Sequence, residues 1–170
     1  MEHTKRITTT DGAEVVAFQG GWCPLSLWNW TPLKINGQSY YSVYQYLLCE
    51  KALYFNDKGS YNAIKKSKNA AEQSKLARDI KCCDEMKWRA VEQRLMTIAI
   101  NEKLAQHPKI YNLLESTGDA VIAHCSRYDS HLGTGLDIDS EDMKNRSKWG
   151  KNIVGEILMD FRKNGYDTFN

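Results

Sequence analysis

The residues that could do chemistry in this chain are dispersed: Asn29, Trp30, Lys51, Arg78, Trp88, Asp129, the Gly133 and Gly135 pair, and the run Trp149-Gly150-Lys151-Asn152. No phosphate-cradling P-loop, dinucleotide glycine fingerprint, nucleophile elbow or HExxH zinc motif connects them. The chain carries nine Tyr and five Trp. Such side chains pack cores but also stack on bases and flavin-like rings. Cys23, Cys49, Cys82, Cys83 and Cys125 have no repeating spacing, and the adjacent pair lacks the CxxC spacing of a zinc site. We read all five as reduced thiols of a cytoplasmic protein, and expect no metal and no cofactor.

These residues need elements to hold them. Glu14 to Phe18 reads as a strand after the turn signal Asp11-Gly12, and Leu33–Ile35 with Ser39–Tyr41 as a hairpin around Asn36-Gly37. Ser42 is placed to cap a helix running to about Phe55, with Tyr44, Leu48 and Lys51 on one face. Short helices are expected over Ser60–Ile64 and Ala70–Arg78. Asp84 should cap a long one reaching about Ala105, with an apolar stripe of Trp88, Val91, Leu95 and Ile98. Pro108 opens a helix through Leu114, Ala120–Ala123 reads as a short buried strand, and Tyr128 to Arg146 reads as loop. The last helix spans about Asn152 to Lys163, with Ile153, Ile157 and Phe161 on its apolar face. Its other row, Asn152, Gly155, Met159 and Arg162, contains a glycine costing about 1 kcal/mol against alanine, which predicts a close backbone approach there.

In chain order, the blocks LSLWNWTP, INGQSYYSVYQYLLCEKALYF, KLARDI, KWRAVEQRLM, YDSHLGTG and KWGKNIVGEILMDFR resemble the signatures of the NADAR family. The resemblance runs from about Phe18 to Arg162, and its most specific part is Gly150, Asn152, Gly155, Leu158, Met159 and Arg162. It implies an α+β fold, a single mostly helical domain with a small β-sheet. It also implies a site for an ADP-ribose-type or ribose-phosphate ligand, and cleavage of an N-glycosidic bond. That reaction needs an acid/base carboxylate and stabilisation of an oxocarbenium-like centre.

Carried over position by position, the resemblance gives Lys51 and Arg78 to the phosphate end and Trp88 to base stacking. Asp129 becomes the surviving catalytic carboxylate, and the backbone N–H groups of Gly150, Lys151 and Asn152 become an anion site at a helix start. Asn29, Trp30, Gly133 and Gly135 fall in matching blocks. Three positions depart from the family pattern. The helix glutamate is Tyr44, and a phenol is a poor carboxylate substitute at neutral pH. The tryptophan before the loop glycine is Leu132, and a glutamate after the short strand is His124. Structural readings stand beside these. Trp88 suits a core, Arg78 a helix C-terminus, Asp129 an Asx-turn, His124 a buried neutral ring, and Asn152 and Arg162 a framework role.

A formal net charge of +2 does not point to nucleic acid, and Lys65, Lys66 and Lys68 read as a solvated surface. No apolar run approaches the roughly 20 residues of a membrane span, and the N-terminus lacks an apolar signal region. We expect a tail over residues 1–12, one domain over 13–165 and a tail over 166–170. Three functions remain open: a binder that sequesters a nucleotide signal, an active N-glycosidase, and a partner-binding protein with a vestigial pocket. The retained Lys51, Arg78 and Asp129, with the glutamate lost at Tyr44, favour the first. The partner is then a small nucleotide-type molecule.

Overall fold

A computed structural model describes residues 3–167. In chain order the elements are β1 (Thr4–Thr8), β2 (Glu14–Gln19), β3 (Leu33–Ile35), β4 (Gln38–Tyr40), α1 (Val43–Tyr54), α2 (Lys58–Lys66), α3 (Ala70–Arg78), α4 (Glu85–Gln106), α5 (Pro108–Glu115), β5 (Val121–Cys125) and α6 (Ile153–Asn164). The class is α+β, mostly helical, as expected. The chain divides into two compact units, Met1–Asn29 with His107–Asn170, and Trp30–Gln106.

The first unit is built on a three-stranded sheet of order β1-β2-β5. Val15, Val16, Ala17 and Phe18 of β2 are completely buried. A central strand covered on both faces has no polar alternation, which is why its sequence reads as one apolar run. β2 pairs antiparallel with β1 and parallel with β5, with Phe18 opposite His124. Strand β1 lies where a tail is expected. Only Ile7 of TKRIT turns into the core, opposite Val15, so alternation gives little sign of an edge strand held mainly by its backbone ladder. At the other terminus Tyr166 packs edge-on against Tyr111 of α5, and residues 168–170 of the second expected tail lie outside the described residues.

β5 would leave its outer edge unpaired, and α6 and the loop before it satisfy that edge. The Arg162 guanidinium donates to Ala120 O, Ile122 N donates to Met159 Sδ, and Asn152 Nδ2 donates to Ile122 O at 2.7 Å. Asn152 Oδ1 accepts from His124 N at 3.0 Å, and Thr134 N donates to His124 O. A Cβ on Gly155 would lie 2.1 Å from Ile122 O, so the predicted close approach is real. The Asn152, Gly155, Met159, Arg162 row is thus a side-chain strip that completes a sheet edge.

The second unit centres on α1, which packs on α2, α3 and α4. Ser42 caps it by accepting from Gln45 N, and the β3–β4 hairpin turns through Asn36 and Gly37, both at positive φ as the Asn-Gly signal requires. The fully buried Gln45 accepts from Tyr41 N and donates to Ile64 O and Ser67 O, fixing the end of α2. Helix α2 starts earlier than its apolar residues suggest, because the Asp57 carboxylate accepts from Ser60 N and from Lys81 N. Those backbone donors hold its pKa at about 2. Asp84 accepts from Met86 N and Lys87 N at the start of α4, as expected.

Candidate ligand-binding site

Half of α1 is buried, and Tyr44, Leu48 and Lys51 form a half-buried row along it. At its amino end, Tyr44 Oη lies 2.7 Å from Ser74 Oγ on α3. The Ser74 hydroxyl donates to Ala70 O, which leaves Tyr44 as donor to serine. The phenol thus ties α1 to α3 at the position where the resemblance implies a glutamate.

At the other end of the row, Lys51 Nζ donates to Glu85 Oε1 at 2.5 Å and lies 5.9 Å from the centre of the Trp88 ring. Glu85 also accepts from Cys83 Sγ, and the lysine beside it, chiefly by its hydrogen bond, holds its carboxyl below the usual range. Trp88 is 3 % exposed, its Nε1 donates to Glu92, and Tyr54 meets it edge-on. A cation, a carboxylate and an aromatic plane therefore meet where α1 faces the first turns of α4. With Lys51 toward its ring and Tyr54 at its edge, Trp88 here is a wall of the lysine site rather than an open stacking platform. Arg78 ends α3 and is exposed to solvent. Trp30 is 54 % exposed and stacks on Tyr41 at 4.5 Å.

In the first unit the expected residues serve mainly to build a loop. Asn29 Nδ2 donates to Gly21 O at 2.8 Å, closing the turn after β2. Asp129 Oδ1 accepts from His131 N and Leu132 N, the Asx-turn geometry that the sequence also allowed. Gly133 lets the chain pass His124, since a Cβ there would come within 2.7 Å of His124 O. Gly135 has φ +74° and abuts Ser130. His124 is 1 % exposed, 5.4 Å from the Phe18 ring and 5.2 Å from that of Trp28. Burial pulls its pKa down to about 4 despite the opposing pull of Asp129, so it is neutral at pH 7. Its Nδ1 is buried without a hydrogen-bond partner among the described residues.

Two expectations need correcting. The N–H groups of Gly150, Lys151 and Asn152 are not open to an anion. They donate to Thr134 O, Ser130 O and Gly133 O, and a Cβ at Gly150 would fall 2.1 Å from Ser130 O. The run reads as a helix start but is zipped to the preceding loop. The Asn152 side chain is 3 % exposed and its amide is used on both sides by β5, so it holds the fold. Lys151 stands exposed beside it.

Glu85, Tyr54 and Ser74 were missed from sequence. An acid in the first turn of a helix reads as a favourable dipole partner, and nothing local reveals a lysine 34 residues away. Among the described residues no group of three or more metal-ligating side chains converges, and no helix is long and apolar enough to cross a membrane.

The NADAR domain model matches residues 16–164. The chain is 28 % identical over 142 residues to N-glycosidase R617 of Acanthamoeba polyphaga mimivirus, covering 79 % of this chain and 84 % of that protein. It is 24 % identical over 132 residues to N-glycosidase YbiA of Escherichia coli K12, covering 78 % and 74 %. The NMR structure of the Escherichia coli protein YbiA superposes with a TM-score of 0.70 at 20 % identity, over 95 % of this chain and 88 % of that one, a likeness of fold. The chain belongs to the NADAR family.

Proposed function

We propose that this NADAR protein binds an ADP-ribose-type or ribose-phosphate nucleotide and that its N-glycoside cleavage is lost or altered, so that it holds such a molecule rather than consuming it. The observation that carries this reading is Tyr44: a phenol donating to Ser74 stands where the family pattern has a carboxylate. Lys51 supports retained binding. It is half-buried on the same helix row, and its partner Glu85 is largely exposed, so an incoming phosphate can compete for the ammonium. In this reading Lys51 and Arg78 attract the phosphates and Trp88 lines the lysine site. Asp129, already engaged through one oxygen, holds the shape of its loop.

A second reading is favoured by Glu85. It is a carboxylate kept ionised beside Lys51, able to stabilise positive charge on a sugar as an N-glycosidic bond breaks. The curated relatives named above are called N-glycosidases, which fits an active protein in which Glu85 replaces the missing acid. The two readings separate on incubation with ADP-ribose, NAD and ADP-ribosylated nucleosides, followed by mass spectrometry of what is bound and what is released. Intact ligand recovered from denatured protein supports the binder. Separated base and sugar, lost in Glu85→Gln, support the glycosidase.

A further inference from the structure

Helix α4 carries the apolar stripe Trp88, Val91, Leu95 and Ile98, and the fold buries only its first member. Val91 and Leu95 are half-buried and Ile98 is 38 % exposed. Facing them, α1 presents Leu53 at 44 % and Tyr54 at 48 % exposure. Together these residues line a shallow, open groove of about 490 Å³ that also contains Glu50 and Arg94. Solvated helix faces seldom carry an i, i+4, i+7 apolar row beside a second apolar helix edge.

The two charges say what covers it. Glu50 and Arg94 line one groove, and Glu50 is influenced by the Lys65 charge rather than by Arg94. Burial raises the Glu50 carboxyl above its usual range, and the Lys65 ammonium offsets this only in part. An apolar strip holding one acid and one base that no ion pair joins to each other is self-complementary. Under a two-fold rotation each acid meets the other copy's base, and the apolar residues pack on their own equivalents. A small-molecule pocket would instead be enclosed, with several donors converging on one point.

We infer that the α1–α4 groove is a two-fold interface between copies of this chain, with Glu50 of one copy paired to Arg94 of the other in both directions. The inference is independent of the ligand reading above. It is tested by sedimentation velocity on the full chain over the micromolar range, with circular dichroism to verify that each variant folds. The wild type should form a dimer. Glu50→Arg and Arg94→Glu, each alone, should weaken it by at least about tenfold, since like charges then face each other across the interface. The double variant should dimerise again, and so should an equimolar mixture of the two single variants, which no general loss of folding could produce. A wild type that stays monomeric throughout, or a dimer indifferent to both reversals, would overturn the inference. So would reversals that weaken the dimer without rescue in the double variant or the mixture.

Discussion

Lys51 reaches from α1 to Glu85 at the start of α4 and donates to it at 2.5 Å, with the Trp88 ring 5.9 Å from its ammonium. The ammonium's side chain is 13 % exposed and the carboxylate's 61 %. The cation is thus fixed by packing, while its partner can swing into solvent. If phosphate displaces Glu85 from Lys51, Lys51→Ala removes a charge-assisted contact worth roughly 1.5–3 kcal/mol, a loss of about tenfold or more in affinity. Calorimetry with ADP-ribose should show it, and the wild-type affinity should fall as salt is added. Equal affinity in the variant would remove Lys51 from the site.

Asn152 predicts a stability effect rather than a binding one. Asn152→Ala would leave His124 N and Ile122 O unsatisfied on the buried edge of β5. It would also place alanine at φ 49°, which asparagine tolerates better. A loss on the order of 3 kcal/mol is expected, read as a lower urea midpoint with an unchanged m-value. A midpoint near wild type, with ligand affinity lost, would return this side chain to the ligand.

His124 should make stability fall in mild acid. Its folded pKa of about 4 lies below the ordinary 6.5, so between those values the unfolded chain binds the proton and the folded one does not. Stability from this group is complete above about pH 6.5 and declines as pH falls towards 4, by about 3 kcal/mol in all. Glu50 opposes this near the lower end, because burial raises its carboxyl. The aspartates held at about 2, Asp57 and Asp137, act only at lower pH. Thermal melts of the wild type and His124→Gln over this range should diverge in slope, the variant losing the decline. Parallel curves would assign the acid sensitivity elsewhere.

What the sequence disclosed follows from how local each signal is. The Asn36-Gly37 hairpin and the Ser42 cap are written in two to four neighbouring residues, and both appear as read. The spacing of Asn152, Gly155, Met159 and Arg162 was visible, but the strand edge it serves lies about 30 to 40 residues away. Strand β1 was hidden because a backbone ladder leaves no mark on side-chain type when one residue in five is buried. The N–H groups of Gly150 to Asn152 read as an anion site because a helix start and a loop junction share the same glycine signal. Only the carbonyls of Ser130, Gly133 and Thr134 distinguish them. Glu85 was missed for the same reason of distance.

Tyr44 is the sharpest test of chemistry. Wild-type protein should bind ADP-ribose yet release little or no free base from N-glycosides. Tyr44→Glu should add cleavage, because a carboxylate there sits on the same helix row as Lys51 and can accept from the Ser74 hydroxyl once that hydroxyl turns away from Ala70 O. General acid–base assistance contributes roughly 10²–10⁴-fold, enough to lift an undetectable rate into view. The gain should appear in single-turnover release of base, with ADP-ribose affinity changed little, since Lys51 and Arg78 are untouched. Tyr44→Gln is the control for shape: it offers a side chain of similar length with no ionisable group, and should bind without cleaving. Release of base by the unmodified protein at a rate that Tyr44→Glu does not improve would defeat the proposal. If that release were then lost in Glu85→Gln, the missing acid of α1 would have been replaced by one at the start of α4.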